Sequence, residues 1–310
     1  MIDLRDLGRV SQGELRNFVR SFDHVMCDVD GVLVLGNSLI PGANKCISAL
    51  RKLGKRVSFI TNNGTATTEQ MLKNLSAFGA KEDEIISPVT SIIAYLKKIN
   101  FNRDLYVIGG SNLRDSLKRA GFNLVDFQPD QLGHSEDLLA ELKTECVKVK
   151  NATHNIGAVL VDTDFKLTLL KVQRAVVLLT SRDDILLISG GPEDCIPSGK
   201  DFKVIGPKFY IDAIERLSQK KCTVLAKPSV HLQDTLEDQF KIRDPKRILF
   251  IGDSVGTDMA FASQCGFQKL LVLTGVTREG DLENWTYPVE YKPHYYVKSL
   301  NALNEELIDF

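Results

Sequence analysis

The chain has 310 residues, 43% hydrophobic and 25% charged, which is the composition of an ordinary soluble globular protein of about two domains. A formal net charge of −1, without a long run of Lys or Arg, argues against a nucleic-acid or membrane-surface partner. No apolar run approaches the roughly 20 residues that a membrane span needs, so we expect a cytoplasmic protein.

The first hundred residues alternate between helical and strand patterns. Ser11 and Glu14 form a capping box that opens a helix, and Ser87-Pro88 is typical of the start of another. In order, we expect helix 11–22, a strand from residue 25, a helix between Gly42 and Gly54, strand 57–60, helix 68–78 and helix 88–100. This alternation predicts a doubly wound α/β sheet of buried, parallel strands.

The pattern begins again near residue 105, which indicates an inserted domain. We expect strands 105–108, 158–161 and 185–188, and helices 113–120 and 168–179. Residues 128–155 are polar and predict an exposed, irregular stretch. We therefore assign residues 103–207 to an inserted α/β domain, and residues 1–102 and 208–310 to the core domain.

The core pattern resumes after residue 207. The expected elements are helix 209–217, strand 223–225, helix 232–240, and strands 247–251, 269–273 and 294–297. Residues 247–251 form the most uniformly apolar of these runs, which is typical of a strand with both faces covered. The chain is thus predicted to return to the first sheet and complete it.

Polar residues follow four of the strands predicted for the core. They are Asp28 with Asp30, Thr61 with Asn62, Lys227, and Asp253, with Asp258 on the next helix. Ligands bind at the carboxyl ends of the strands in an open parallel sheet, so we expect one shared site. Asp28 and Asp30 should repel each other, and a divalent cation or a proton-transfer role would relieve that repulsion.

The residue types indicate phosphoryl chemistry. Asp28, Asp253 and Asp258 supply the oxygen ligands that Mg²⁺ prefers, whereas Zn²⁺ usually takes His and Cys. Thr61 and the backbone N–H groups after it can donate to phosphate oxygens, and Lys227 adds a positive charge. A carboxylate beside Mg²⁺ is also a known nucleophile, which forms an aspartyl phosphate.

Four segments resemble the ordered motifs of the haloacid dehalogenase-like hydrolases. They are Asp28-x-Asp30-Gly-Val-Leu, Phe59-Ile-Thr61-Asn62-Asn63, Lys227-Pro228-Ser229 and Gly252-Asp253-x-x-x-x-Asp258. More narrowly, nearly the whole chain resembles the 4-nitrophenylphosphatase group, which includes phosphoglycolate and pyridoxal phosphatases. The resemblance implies a Mg²⁺-dependent phosphatase that acts on a small phosphorylated metabolite.

The resemblance also implies the roles of the acidic residues. Asp28 would be the nucleophile that accepts the phosphoryl group. Asp30 would protonate the leaving oxygen and then activate water. Asp28, the backbone carbonyl of Asp30 and the side chain of Asp253 would hold Mg²⁺, with Asp258 in support.

The remaining motif residues would bind the substrate. By the same resemblance, Thr61, Asn62 and Asn63 would surround the phosphate, and Lys227 would hold both the phosphate and the nucleophile. The inserted domain would be a cap that closes over the site. Caps of this group often pair two subunits, so the resemblance implies a homodimer.

Three segments depart from the family pattern. Gly256 stands where the family usually has an acidic residue, which would weaken the outer support of Mg²⁺. Residues 190–193, Gly-Gly-Pro-Glu, replace Thr-Asn-x-Asp, and residues 206–208, Gly-Pro-Lys, replace Gly-Thr-Gly. Because Gly190 and Gly191 lack side chains, we expect a larger or differently shaped substrate and weak activity on the usual ones.

Three alternative functions remain beside the phosphatase. A catalytically silent scaffold would keep the fold, but every charged group that the chemistry needs is present. A receiver-type signalling module also arranges Asp, Thr and Lys around Mg²⁺, but it is only one small domain long. A dehalogenase does not use the second Asp of Asp28-x-Asp30.

The six cysteines are scattered singly, without a Cys-x-x-Cys pair, which indicates reduced thiols rather than a metal site. We expect most of them to be buried. Cys27 precedes the proposed nucleophile, and a core thiol is favoured over a redox role there.

Overall fold

The structure is a computed structural model that describes residues 4–36, 38–133, 136–152, 154–197 and 203–307. The described strands, in chain order, are β1 (Arg5–Asp6), β2 (His24–Cys27), β3 (Val34–Leu35), β4 (Ser38–Leu39), β5 (Arg56–Ile60), β6 (Ile85–Ile86), β7 (Asp104–Ile108), β8 (Leu124–Val125), β9 (Ile156–Val161), β10 (Leu186–Ser189), β11 (Cys195–Pro197), β12 (Lys203–Ile205), β13 (Cys222–Val224), β14 (Ile248–Gly252), β15 (Gln268–Val272) and β16 (Tyr295–Val297).

The α-helices lie between these strands. They are α1 (Gln12–Arg20), α2 (Ala43–Lys52), α3 (Thr68–Asn74), α4 (Pro88–Lys98), α5 (Ser111–Arg119), α6 (Leu138–Asn151), α7 (Leu169–Ser181), α8 (Lys208–Ser218), α9 (Val230–Phe240), α10 (Ala260–Gln264), α11 (Glu279–Glu283) and α12 (Leu300–Leu307). None of the helices in the described part of the chain is long and apolar enough to cross a membrane.

The chain divides into two units. The first unit comprises residues 1–61, 68–87 and 227–310, and the second comprises residues 62–67 and 88–226. These divisions differ from the boundaries at 102/103 and 207/208 expected above. Both α4 and α8 pack within the second unit, because Ile92 of α4 and Ile214 of α8 lie in its hydrophobic clusters.

The first unit is built on a seven-stranded sheet with the order β1-β16-β15-β14-β2-β5-β6. Its strands are parallel throughout, and β2 and β14 are buried along their whole length. Phe250 of β14 packs with Leu236 of α9 and Phe261 of α10 in one buried cluster. A parallel sheet covered by helices is the fold class that the alternating pattern predicts.

The second unit contains a five-stranded parallel sheet with the order β13-β10-β9-β7-β8. All six residues of β9 are buried in the middle of this sheet. The prediction that strand 223–225 belongs to the core sheet is wrong, because β13 pairs with β10. Periodicity cannot distinguish between two parallel sheets, since a buried strand has the same apolar pattern in both.

A helix occupies half of the stretch that was expected to be irregular. α6 spans Leu138–Asn151, and Asp137 caps it by accepting a hydrogen bond from the Ala140 N–H at 2.9 Å. Val149 and Glu145 are its buried residues, so the apolar stripe that usually reveals a helix is almost missing. A charge pair takes its place, because Arg174 of α7 donates to Glu145 at 2.8 Å while being only 1% exposed.

Candidate active site

The nucleophile predicted from the sequence lies at the carboxyl end of a central strand. Asp28 directly follows β2, and its N–H donates to the Ile251 carbonyl of β14 at 2.9 Å. Its side chain is buried, with 8% of the residue exposed. Gly31 then turns the chain with φ +82°, a conformation that favours glycine, and its N–H donates to the Val34 carbonyl at 2.7 Å. Asp28 therefore lies at the start of a turn that needs a glycine at position 31, where any other residue would strain the backbone.

Asp253 and Asp258 come from the end of the neighbouring strand. Asp253 follows β14, and Asp258 lies in a π-helical turn over Val255–Met259, a type of turn that is frequent at functional sites. The Asp258 carboxylate accepts hydrogen bonds from the N–H groups of Asp253 and Ser254, both at 3.1 Å. These bonds fix the Asp258 side chain against the backbone that carries Asp253.

Lys227 connects these carboxylates. Its Nζ donates to Asp28 Oδ1 at 2.6 Å and to Asp258 Oδ1 at 2.8 Å, and the residue is only 2% exposed. The ammonium also lies 5.5 Å from the ring centroid of Phe250. Burial would lower the pKa of Lys227, but the charges of Asp258 and Asp28 outweigh it and raise that pKa, so the side chain stays protonated.

Lys227 reaches this site by another route than expected. Its predicted position is the end of a fourth core strand, but the strand before it, β13, belongs to the sheet of the second unit. The chain enters the first unit at Lys227 itself. The Lys227 side chain thus lies in the site because the segment that leads from the second unit back to the first ends at this residue.

Three carboxylates lie close enough to share a metal ion. One oxygen each from Asp28, Asp253 and Asp258 lies within 4.8 Å of the others. Burial and then the charge of Asp258 raise the pKa of Asp28 well above its usual value, and the same two causes raise the pKa of Asp253 to about 7. A divalent cation would favour the ionised forms of these buried carboxyls, and an oxygen-only donor set suits Mg²⁺.

The carboxylates that repel Asp28 do not include that of Asp30, contrary to the expectation from the sequence. The carboxylates that raise the pKa of Asp28 are those of Asp258 and Asp253. The pKa of Asp30 is raised by partial burial, whereas Lys227 and a 3.5 Å hydrogen bond from Thr61 Oγ1 lower it. Asp30 is a solvent-exposed residue. Its carboxyl group can therefore contact water and the Thr61 hydroxyl.

A segment with no role predicted from the sequence holds Asp253 in place. The Val276 N–H donates to Asp253 Oδ2 at 2.5 Å, and the Thr277 N–H donates to the Asp253 carbonyl at 2.9 Å. Thr274 Oγ1 donates to the Gly31 carbonyl at 2.5 Å. Residues 274–277, which we call the Asp253 clamp, therefore join the two metal-facing turns. A glycine just after a buried strand was the available signal for this segment.

Gly275 in the clamp is a steric requirement. A Cβ at this position would lie 2.6 Å from Asp253 Cγ and 2.9 Å from the Cα of Gly31. Real Cβ atoms keep larger distances, so a side chain here would displace the Asp253 carboxylate. Gly256 differs, because among the described residues a Cβ there would come within 4 Å only of Tyr287, at 3.6 Å, which is an ordinary contact distance.

Asn62 and Asn63 fall in the second unit, on the turn that follows Thr61. Asn62 Nδ2 donates to Glu193 Oε1 at 2.7 Å. Asn63 Oδ1 accepts from the N–H and the hydroxyl of Thr65, at 3.0 and 2.7 Å. Asn112 donates to the carbonyl of Gly64 at 3.2 Å and holds the same turn. Both predicted phosphate ligands therefore also make bonds that shape the turn.

The loop at residues 190–193 is not the open space that the sequence suggested. A Cβ on Gly190 would overlap Asp162 Oδ2 and would lie 2.7 Å from Pro88 Cβ. A Cβ on Gly191 would lie 3.3 Å from that of Ala226. The expectation that the missing side chain at Gly190 leaves room for a larger ligand is wrong, because the Asp162 carboxylate fills that room.

Cys27 is fully buried at the end of β2, as expected for a core thiol. Burial, and then the charge of Asp28, raise the pKa of its thiol well above the usual value, which suppresses the reactive thiolate. Cys46 and Cys265 are buried as well, whereas Cys146, Cys195 and Cys222 are partly exposed.

The chain is similar to proteins of one hydrolase family. A family model described as haloacid dehalogenase-like hydrolase matches residues 25–123, and one described as HAD-hydrolase-like matches residues 224–303. The 4-nitrophenylphosphatase of Schizosaccharomyces pombe is 30% identical over 95% of this chain and 97% of its own length. Phosphoglycolate phosphatase 1A, chloroplastic, of Arabidopsis thaliana is 29% identical over 91% of this chain and 76% of its own.

A solved structure agrees with this similarity. A hypothetical protein from Pyrococcus horikoshii OT3 superposes with a TM-score of 0.75 at 26% identity, covering 92% of this chain and 99% of that one. Both family models include site residues, since Asp28 and Asp30 lie in the first match and Lys227, Asp253 and Asp258 in the second. The chain belongs to the haloacid dehalogenase-like hydrolases.

Proposed function

We propose that this protein is a Mg²⁺-dependent phosphomonoesterase that hydrolyses a small phosphorylated metabolite through an aspartyl phosphate on Asp28. The observation that carries the proposal is the buried arrangement of Lys227, which bonds Asp28 and Asp258, around carboxylates that can share one cation. A phosphoryl group carries negative charge that a lysine and a metal together can offset. The names of the relatives from S. pombe and A. thaliana support the same reaction class.

Magnesium would be held by the side chains of Asp28 and Asp253 and by the backbone carbonyl of Asp30, with Asp258 in support. When bound, Mg²⁺ would supply positive charge to the phosphate oxygens and keep Asp28 ionised. Burial and the charge of Asp258 raise the pKa values of Asp28 and Asp253, and the positive charge of a cation would offset the cost of ionising both groups.

In the first step, a carboxylate oxygen of Asp28 attacks phosphorus, and the bond between phosphorus and the leaving oxygen breaks. Asp30, in its protonated form, gives its proton to that oxygen, so the alcohol leaves neutral. Thr61 and the N–H groups after it donate to the phosphate oxygens. Lys227 offsets the negative charge on Asp28 and on the phosphoryl group.

In the second step, water attacks phosphorus in the aspartyl phosphate. Asp30, now ionised, takes a proton from the water, and the bond between phosphorus and the Asp28 oxygen breaks. Inorganic phosphate leaves, and both carboxyl groups return to their starting forms. The exposure of Asp30 suits this role, because the same group must meet the leaving alcohol and then water.

We further propose that the second unit is a cap that limits access of water to the reacting phosphate and carries the groups that recognise the alcohol part of the substrate. The homodimer through this unit and the cytoplasmic location stay predictions from the resemblance and the composition. Size-exclusion chromatography with light scattering would test the dimer, since a monomeric mass at working concentration would contradict it.

The test is the hydrolysis of 4-nitrophenyl phosphate by the purified protein. We expect turnover with Mg²⁺, its loss on adding EDTA and its recovery with excess Mg²⁺. Asp28→Asn should abolish turnover, because it removes the nucleophilic charge with little change in volume. Asp30→Asn should lower kcat by about 10²–10⁴-fold, the usual contribution of general acid–base catalysis.

Asp115→Asn is a matched control, because Asp115 is an exposed aspartate on α5. It should turn over like the wild type, and all variants should unfold at similar denaturant concentrations. Near-normal turnover by Asp28→Asn would refute the aspartyl-phosphate mechanism, and turnover that ignores EDTA would refute the metal. No turnover by the wild type would favour the catalytically silent scaffold.

A further inference from the structure

Residues 62–67, the turn that follows Thr61, pack in the second unit, whereas Thr61 itself lies in the first. A peptide bond joins Thr61 to Asn62, so the backbone N–H groups that we assign to the phosphate continue directly into this turn. The turn is thus a short part of the second unit that carries groups of the proposed phosphate site. Its conformation depends on the residues of that unit that bond to it.

Asn112, in the first turn of α5, bonds to this turn at two points. Its Nδ2 donates to the carbonyl of Gly64 at 3.2 Å and to the carbonyl of Ala66 at 2.7 Å. A carboxamide nitrogen carries two N–H donors, and these bonds use both of them. The side chain therefore fixes the backbone on both sides of Thr65. The mechanism proposed above gives Asn112 no role.

The helix that carries Asn112 is anchored in the core of the second unit. Leu113 and Leu117 of α5 are buried in one hydrophobic cluster of that unit. The Gly110 N–H, just before the helix, donates to the Thr163 carbonyl at 3.0 Å. A side chain on such a packed element holds its partners more precisely than one on a loop would.

The turn is also closely packed and bonded within itself. A Cβ on Gly64 would lie 3.3 Å from both carboxylate oxygens of Asp162, which is closer than most real Cβ contacts. Asn63 Oδ1 accepts from the N–H and the hydroxyl of Thr65. The Thr65 bonds lie inside the turn, whereas the two bonds from Asn112 reach its backbone from another element. Asn112 therefore connects the conformation of the turn to the core of the second unit.

Building on the proposed phosphatase function, we propose that Asn112 is a positioning residue for phosphate binding. By holding the carbonyls of Gly64 and Ala66, it keeps the turn in the conformation whose N–H groups donate to the phosphate. Asn112 acts through the turn and does not touch the substrate. Its loss lowers the fraction of molecules that have the competent turn, and the apparent affinity for phosphate falls with that fraction. All phosphomonoesters should weaken alike, because they share the phosphate.

Asn112→Asp tests the proposal with almost no change in volume. It replaces both N–H donors by carboxylate oxygens, which face the two carbonyl oxygens and are repelled by them. With Mg²⁺ present, KM for 4-nitrophenyl phosphate and Kd for inorganic phosphate should each rise by about fivefold or more, the smallest factor expected for two lost hydrogen bonds. The change in kcat should be small, because an interaction made equally in the ground state and the transition state affects KM alone.

Ser111→Asp is the matched control, because Ser111 is exposed and adjacent to Asn112. It adds the same negative charge and leaves both bonds to the turn in place, so KM and Kd should stay at their wild-type values. An equal effect of Ser111→Asp and Asn112→Asp would attribute the change to charge and overturn the positioning role.

Asn112→Ala removes the donors without adding a charge, and it replaces Asn112→Asp if that variant does not fold. Partial unfolding would lower kcat at unchanged KM, because the remaining folded molecules bind substrate normally. A rise in KM and in the Kd for phosphate is therefore the result that a merely structural role would not give. Unchanged KM and Kd in Asn112→Asp and Asn112→Ala would overturn the proposal.

Phosphate binding separates this proposal from the phosphatase activity. Isothermal titration calorimetry with inorganic phosphate and Mg²⁺ needs no turnover. If the wild type binds phosphate but hydrolyses no ester, weaker binding by Asn112→Asp still supports the positioning role while the phosphatase fails. Hydrolysis of 4-nitrophenyl phosphate, with equal phosphate affinity in the wild type and both Asn112 variants, would support the phosphatase and overturn the positioning role.

Discussion

Replacing Gly275 by alanine tests whether the Asp253 clamp controls metal binding. The new Cβ would lie 2.6 Å from Asp253 Cγ, whereas carbon atoms in contact stay about 3.5–4.0 Å apart. The carboxylate must therefore retreat by about 1 Å, which is enough to break the 2.5 Å bond from the Val276 N–H. A hydrogen bond to a charged group contributes about 1.5–3 kcal/mol.

At 1.4 kcal/mol per tenfold change, Gly275→Ala should raise the Kd for Mg²⁺ by about 10- to 150-fold. Isothermal titration calorimetry, and the Mg²⁺-dependent rise in Tm, would measure this directly, and the Mg²⁺ concentration for half-maximal turnover should rise in parallel. Gly280→Ala is the matched control, because no described atom lies within 4 Å of the Cβ that it would add. If Gly275→Ala binds Mg²⁺ as the wild type does, the clamp does not position Asp253.

Two further predictions concern Gly256 and His24. Gly256→Asp should lower the Kd for Mg²⁺ in the same titration, because the added side chain has room beside Tyr287 and brings a carboxylate to the outer side of the site; unchanged or weaker affinity would contradict this. Burial, and then the charge of Arg56, lower the pKa of His24 from 6.5 to about 4, so the unfolded chain binds more protons between these values. Stability should therefore fall by about 3 kcal/mol as pH drops from about 6.5 to 4, and urea unfolding of His24→Gln should lack this part of the pH dependence.

The sequence predicted the strands that carry the acidic residues well. β2, β5 and β14 are continuous apolar runs, and their carboxyl ends deliver Asp28, Thr61 and Asp253. A run that is buried on both faces leaves little choice of structure, and the polar residue that ends it must lie at the sheet edge. Local pattern was sufficient wherever the strand itself sets the position.

The sequence was less informative where contacts join distant parts of the chain. Lys227 follows a strand of the second sheet. Its position beside Asp28 and Asp258 therefore depends on where the chain returns to the first unit and not on a strand pattern. α6 was missed because a buried ion pair between Glu145 and Arg174 replaces part of its apolar face. Neither feature has a periodic signal, since the two partners are far apart in sequence.

The packing of Asp162 against Gly190 shows why a missing side chain cannot be equated with free space. Close packing leaves few voids in a protein interior, so atoms from elsewhere fill the volume that one residue gives up. Here the Asp162 carboxylate occupies the space beside Gly190 and lies next to the turn that follows Thr61. A threonine introduced at position 190 alone would therefore collide with Asp162 before it could report on specificity. Shortening Asp162 in the same protein would remove that collision but not the 2.7 Å contact with Pro88 Cβ, so a comparison of substrates in such a variant would still measure strain together with recognition.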